Sequence, residues 1–252
     1  GHGGGPGAPP RDIEIIETEL MLADLEGLER RLQKVERAVK AGDKKAAVER
    51  DLVRRLIAAL SAGKSVRTVA VAEEERLIVK DLFLLSAKPI LYAANVGESD
   101  VTRAVPAVEA VREIAAREEA AVVVLSGRIE AELATLAEDE MGEFLASMGL
   151  AEPGLNRLAR EAFRLLGLIS FFTVGEDECR AWPVRAGTPA VEAAGEIHSD
   201  IARGFIRAEV MSYEDLIARG SETAVREAGL LRIEGKGYEV RDGDVVHFRF
   251  NV

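Results

Sequence analysis

Two short stretches of this 252-residue chain place hydrogen-bonding groups at the ends of apolar runs of strand length. Asn95-Val96-Gly97-Glu98 closes the run Pro89 to Val96 (PILYAANV), and Ser126-Gly127-Arg128 follows Ala121 to Leu125 (AVVVL). Open α/β sheets bind ligands at the carboxyl ends of their strands. Spacing alone is weak evidence for this, because an Asn that ends a strand is usually a turn residue.

A second candidate is basic. From Arg30 to Lys64 there are eleven Lys and Arg against four acids, whereas Asp12 to Glu29 holds seven acids. Clustered cations gain affinity for a phosphate backbone by releasing counterions. A solvated helix face with i,i+4 pairing accounts for the same pattern equally well. No aromatic residue lies in this segment to stack on bases, so any contact would be blind to sequence. The candidate contacts are Lys34, Arg37, Lys40, Lys44, Lys45, Arg50 and Arg54.

Other chemistry is thinner. Ala62-Gly63-Lys64-Ser65 contains the G-K-[ST] of a phosphate-binding loop, but the first glycine of G-x-x-x-x-G-K-[ST] would fall at Ala58, inside a helical pattern. Gly63 reads instead as a helix stop. His198 and His247 are far apart and lack ligands at metal spacing, so no metal site is assigned. His198 reads as a hydrogen-bonded turn residue and His247 as an outward strand residue. Cys179 has no local base and reads as half-buried in a strand; Trp182 reads as core or hairpin packing. No catalytic residue is assigned.

The elements that must position these groups follow from periodicity. Leu25, Leu28, Leu32, Val35 and Val39 form one apolar stripe, and Val48, Leu52, Leu56 and Leu60 form another, broken at Ala41-Gly42-Asp43. That predicts an antiparallel helical hairpin. Helices are predicted over Glu73 to Leu85, Pro106 to Glu118 and Leu155 to Leu166, alternating with the two strands as a piece of parallel α/β sheet. The chain divides into 1–10, a Gly/Pro tract read as a linker or tag remnant, a hairpin domain over 11–72, an α/β part over 73–166 and a last domain over 167–252. Hydrophobic content of 48% marks a globular chain, and net charge of −11 argues against indiscriminate nucleic-acid binding. One cysteine precludes an internal disulfide. With no signal-peptide pattern and no apolar run of membrane length, a cytoplasmic protein with no membrane partner is expected.

The last domain carries the most specific strings. Gly195 to Val210 reads GEIHSDIARGFIRAEV and Leu231 to Val252 reads LRIEGKGYEVRDGDVVHFRFNV, with strand alternation at Tyr238 and Val240 and at Val246, Phe248 and Phe250, around an Asp242-Gly243 turn. From Phe171 to Val252 the chain resembles the C-terminal TGS domain of the YchF family, the Obg-like ATPases. The resemblance implies a ubiquitin-like β-grasp, with strands over Leu168 to Thr173, Glu178 to Val184 and Phe205 to Met211 and helices over Val191 to His198 and Tyr213 to Ile217. It also implies a helical hairpin inserted into a nucleotide-binding domain.

The strand-end loops fit the same resemblance. GTPases use N-K-x-D at such a site, the acid accepting from guanine N1–H and N2–H2. Here Val96 replaces the lysine and Glu98 the acid, the N-x-x-E form of YchF proteins, which hydrolyse ATP as readily as GTP or better. Ser126-Gly127-Arg128 is similar to the family's S-A-K loop, and Glu130 to Leu133 matches too. The resemblance therefore makes Asn95, Val96, Glu98, Ser126, Gly127 and Arg128 base-binding residues. It implies ATP or GTP with Mg in the intact fold, and the ribosome or structured RNA as partner. Arg203, Arg207, Lys236 and Arg241 are its candidate TGS contacts. The family's P-loop, magnesium switch and D-x-x-G motif have no match in these residues, which resemble roughly its C-terminal two thirds. No nucleotide is expected to act as cofactor of this chain, and no hydrolysis is expected from it. Self-association through an incomplete sheet is expected. The alternative is a non-catalytic RNA- or protein-interaction module using the hairpin and the TGS domain.

Overall fold

The computed structural model describes residues 9–175 and 178–251. The chain forms two units, Gly1–Arg157 and Leu158–Val252.

The first unit opens with the hairpin, α1 (Pro9–Lys40) and α2 (Lys44–Ser61). Leu28 and Val35 of α1 and Leu52, Val53, Leu56 and Leu60 of α2 are buried, as the predicted stripes require, but Val48, placed in the second stripe, is exposed near the start of α2. Asp43 caps α2 by accepting from the Lys45 and Ala46 N–H groups at 2.9 and 3.2 Å. At the other end Gly63 takes φ 71°, and Lys64 N–H donates back to the Ala59 carbonyl at 2.9 Å. That is a glycine-terminated helix end, so Gly63-Lys64-Ser65 is not a phosphate loop. Pro9 and Pro10, assigned above to a linker, open α1, since a helix's first turn needs no N–H from them. The remainder of that tract, 1–8, lies outside the described residues.

The hairpin is not a separate body within this unit. Val66 and Leu84 close the same apolar cluster as Leu28, Leu52 and Leu56. Buried Asp24 of α1 accepts from Leu85 N–H (2.8 Å), Ser86 N–H (2.7 Å) and Ser86 Oγ–H (2.6 Å). This also explains why the single helix predicted over Glu73 to Leu85 is absent. A 3-10 turn at Glu73–Glu75 leads into α3 (Arg76–Asp81), and Phe83 turns the chain at φ 51°. The amides that would extend α3 are spent on Asp24.

The α/β part follows: β1 (Leu91–Asn95), α4 (Pro106–Arg117), β2 (Ala121–Leu125), α5 (Gly127–Leu133), α6 (Glu138–Ser147) and α7 (Gly154–Leu165). β1 and β2 pair in parallel, with Asn95 opposite Leu125. Ile129, Leu133 and Leu145 bury α5 and α6 together. No helix is long and apolar enough to cross a membrane among the described residues.

The second unit begins within α7, at Leu158 and not at the predicted residue 167, and is built on a five-stranded mixed sheet. In chain order it contains β3 (Leu168–Val174), β4 (Cys179–Arg185), α8 (Ala190–Ile197), α9 (Ser199–Arg203), β5 (Phe205–Ser212), α10 (Tyr213–Arg219), α11 (Glu222–Glu227), β6 (Arg232–Glu234) and β7 (Asp244–Phe250). Strand order is β4-β3-β7-β5-β6, with β3 and β7 parallel. One face packs Phe171, Ala208, Val210 and Val246 against Ala190, Ala193 and Ala194 of α8. Part of the other face is covered where Met211, Val225 and Val245 pack with Leu216 and Leu230.

The strand predicted around Tyr238 and Val240 is not formed beyond a single bridge between Pro189 and Glu239. The Tyr238 hydroxyl donates to Asp244 at 2.7 Å, and Val240 is buried, so alternation there reports core anchoring of a loop. Cys179 is exposed, not half-buried, because it begins the edge strand β4. Trp182 packs against the core, and its Nε1–H donates to Thr173 Oγ1 across the hairpin at 2.9 Å.

Candidate functional site

The parallel register of β1 and β2 brings the two loops side by side. Val96 N–H continues the ladder by donating to the Leu125 carbonyl at 2.9 Å. One residue further, Gly127 N–H donates to Asn95 Oδ1, also at 2.9 Å. Gly127 is the first residue of α5, and its N–H has no partner within that helix. The Asn95 side chain therefore caps a helix that starts on the neighbouring strand. With Oδ1 committed to a donor, Nδ2 is left to donate elsewhere.

Arg128 Nε lies 2.6 Å from Glu98 Oε1, closing the second link between the loops. The arginine is largely exposed, so this pair contributes little to stability, about 0.5 kcal/mol. Its consequence is chemical: the one carboxylate of N-x-x-E is engaged by a guanidinium. Ser126 is buried, and its carbonyl accepts from Glu130 N–H at 3.0 Å as α5 begins. All six residues named from the sequence thus meet at one place.

Behind them lies support that the sequence did not reveal. Buried Glu130 accepts from Gly154 N–H at 2.7 Å and Leu155 N–H at 3.2 Å, holding the start of α7 to α5. A Cβ on Gly154 would sit 2.7 Å from Leu125 Cβ and 2.8 Å from Glu130 Oε1, so this close approach requires glycine. Arg157 donates to the Val124 carbonyl at 2.9 Å, reaching the end of β2. Glu130 stood out only through the resemblance. A charged residue facing a helix start carries no periodic signal.

The basic candidates separate into two groups. Arg54 pairs with Glu36 at 2.6 Å and Arg50 with Asp51 at 2.7 Å, both spent within the hairpin. Lys34, Arg37, Lys40, Lys44 and Lys45 are exposed around the Ala41–Asp43 turn, with no ion pair among the described residues. On the second unit, Arg203 pairs with Asp200 at 2.7 Å and Arg207 with Glu209 at 3.1 Å. Lys236 and Arg241 lie exposed in the loop between β6 and β7. Among the described residues no hydrogen bond or ion pair joins Arg203, Arg207, Lys236 and Arg241 to one another. His198 Nδ1 accepts from Asp200 N–H at 3.2 Å and caps α9, while His247 Nε2 is 2.7 Å from Glu222.

The two loops present the Asn95 side-chain amide and the backbone of Gly127 and Arg128 together at the carboxyl ends of β1 and β2. Among the described residues no group of three or more His, Cys, Asp or Glu could hold a metal ion, and the 252 residues contain no G-x-x-x-x-G-K-[ST].

Comparison with known proteins agrees with the fold. The family model YchF-GTPase_C, described as a protein of unknown function (DUF933), matches residues 168–251. The Ribosome-binding ATPase YchF of Bacillus subtilis is 47% identical over 255 residues, an alignment covering 100% of this chain and 69% of that protein. Its counterpart in Haemophilus influenzae is 45% identical over 251 residues, with the same coverage of 100% and 69%. The solved YchF GTPase of Schizosaccharomyces pombe superimposes with a TM-score of 0.86 at 29% identity, over 98% of this chain and 68% of that one. A GTP binding protein of Pyrococcus horikoshii, 18% identical with a TM-score of 0.60, shares the fold. With this identity along its whole length, the chain belongs to the YchF family of ribosome-binding ATPases.

Proposed function

We propose that this chain is a ribosome-associated, nucleotide-binding YchF protein whose residues supply the base-reading side of the nucleotide site. The observation that carries this reading is the cross-loop bond from Gly127 N–H to Asn95 Oδ1. It fixes the amide so that Nδ2 can donate to a ring nitrogen, and it holds the Ser126-Gly127-Arg128 backbone within reach of the same base.

The engagement of Glu98 by Arg128 bears on which base. Guanine selection needs a carboxylate free to accept from N1–H and N2–H2. A carboxylate already neutralised by a guanidinium loses that advantage. The site therefore accepts adenine at least as well as guanine, and ATP is the expected nucleotide.

Nucleotide and Mg, when bound, would supply the transferable phosphoryl group and the neutralisation of its charge. The residues of this chain act on the base alone: they orient it and hold its loops. Phosphoryl transfer depends on positioning and charge stabilisation at the β and γ phosphates. A few neutral hydrogen bonds at about 1 kcal/mol each leave affinity in the millimolar range. Titration calorimetry of this chain with ATP is expected to give no saturable binding at micromolar protein, and phosphate release is expected to equal the buffer blank. Magnesium-dependent hydrolysis that disappears in Asn95→Ala would contradict the reading.

The partner follows from charge. Lys34, Arg37, Lys40, Lys44 and Lys45 lie exposed toward the hairpin tip without ion pairs among the described residues, in a chain of net charge −11. Such a local patch suits a phosphate backbone, and the relatives are named ribosome-binding. Cytoplasmic residence accords with that partner. The same unpaired cations favour a second reading, an interaction module whose docking ignores nucleotide. Ribosome co-sedimentation with and without ATP separates the two.

A further inference from the structure

Val48 keeps the spacing of the α2 stripe but is 48% exposed, so the hairpin leaves part of that stripe without cover. It borders a groove of about 470 Å³ lined by α1, α2 and Ile78 of α3. Of the other apolar residues lining it, Val35 and Ala46 are buried and Ala38 and Ile78 half-buried. Arg31, Lys34, Val35 and Ala38 meet it at steps i, i+3, i+4 and i+7, one face of α1 about 10 Å long. Both acids in the groove already have donors. Asp43 accepts from the Lys45 and Ala46 N–H groups, and Glu49 accepts from Arg31 Nε–H. Asp81 also acts on the Arg31 charge. Lys34 and Lys45 have no ion pair among the described residues, on a segment from Arg30 to Lys64 with eleven bases and four acids.

We propose that this groove docks a short amphipathic helix of an acidic protein partner, its apolar face on Ala38, Val48 and Ile78 and its carboxylates toward Lys34 and Lys45. A helix laid in a groove is read through anchors at i, i+3, i+4 and i+7, and the α1 face has the length of one such set. Apolar surface rimmed by cations gains from both halves of that ligand. Hydrocarbon leaves water, and carboxylates meet the ammonium groups in the same step. A phosphate backbone answers only the second half. It would cover Val48 and Ile78 with groups that must stay solvated, and the segment holds no aromatic residue to stack a base. The groove is therefore distinct from the tip patch read as a phosphate contact: Arg37, Lys40 and Lys44 do not line it, and only Lys34 and Lys45 border both.

The test uses the full chain and a fluorescein-labelled helical peptide of about three turns, with Leu at i, i+3, i+4 and i+7 and Glu on either side. Fluorescence anisotropy is expected to show saturable binding, about tenfold tighter than for the same residues in scrambled order or for poly-glutamate. Val48→Asp changes an exposed side chain near the start of α2, so the melting temperature is expected to hold while the preference for the ordered peptide disappears. Lys34→Gln combined with Lys45→Gln is expected to weaken binding several-fold at low salt and to matter less at high salt. Equal affinity for the ordered and scrambled peptides, or binding unmoved by Val48→Asp, overturns the proposal. An RNA stem–loop that binds more tightly than the peptide and is lost in Val48→Asp assigns the groove to a phosphate backbone and overturns it. A dimer in light scattering that Val48→Asp disperses assigns it to a second copy of the chain and overturns it as well. The tip reading is tested at Lys40 and Lys44, outside the groove, so the two fail separately.

Discussion

At the scale of single residues, the account depends on side chains that hold backbone in place. Asn95 is one. Its replacement by Ala leaves the Gly127 N–H without its acceptor, and a loss of about 1 kcal/mol is expected in chemical denaturation. Glu209 is another. The hydrogen-bonded arginines facing it, Arg249 first and then Arg207, hold its carboxyl near a pKa of about 2 against burial, which acts the other way. A folded-state pKa below the unfolded value stabilises above the unfolded one, and that share is lost as pH falls through the folded one. Glu209 therefore adds stability at neutral pH that disappears between about pH 4.5 and pH 2. Glu209→Gln is expected to be less stable than the wild type at pH 7, with the difference closing toward pH 2. The arginines are half exposed, so the gap at pH 7 is expected to be about 1 kcal/mol. Equal melting temperatures of the two proteins at pH 7 would remove this account of Glu209.

At the scale of elements, what periodicity could reveal was legible. The hairpin stripes, the Ala41-Gly42-Asp43 break, β2 and the helix after Pro106 follow from apolar spacing, because each buries one continuous face. α5 and α6 were not read from spacing. Their buried positions are few, Ile129 and Leu133 on one and Leu145 on the other, too sparse to set a period. Tyr238 and Val240 misled for the opposite reason: their alternation serves loop anchoring through Asp244 and the core. The six loop residues of the candidate site lie together, since parallel strands place consecutive carboxyl ends side by side. Glu130 and Gly154, which support these loops, and Asp24, which ties the 85–86 segment to α1, were missed as supports because hydrogen bonds from side chain to distant backbone have no sequence period. These supports make predictions. Gly154→Ala forces a Cβ against Leu125 and Glu130 and is expected to cost about 2 kcal/mol. Asp24→Ala leaves the Leu85 and Ser86 amides without acceptors and is expected to cost about 3 kcal/mol. Denaturant midpoints check both, and a change below a few tenths of a kcal/mol in either would mean that the support is not needed.

At the scale of the whole molecule, charge and sheet edges govern association. Reversing Lys40, Lys44 and Lys45 is expected to reduce ribosome co-sedimentation and flatten its salt dependence. An unchanged salt slope would separate the hairpin tip from the ribosome. The β1–β2 ladder has two strands, which leaves an outer backbone edge on each. Val123 is buried, but Leu91, Tyr92, Val122 and Val124 are only half covered. Such edges pair with other chains, so concentration-dependent self-association is expected in light scattering, and a monomer at all concentrations would contradict it.

The central claim is that the Asn95 and Ser126 loops read a nucleobase. Titration of the isotope-labelled chain with adenosine, followed by NMR, tests it most directly because millimolar binding is visible there and phosphates play no part. The account predicts saturable shifts at the Asn95 side-chain amide and the Gly127 and Arg128 backbone amides, lost in Asn95→Ala. Shifts absent from these groups, or unaltered by Asn95→Ala, would contradict it.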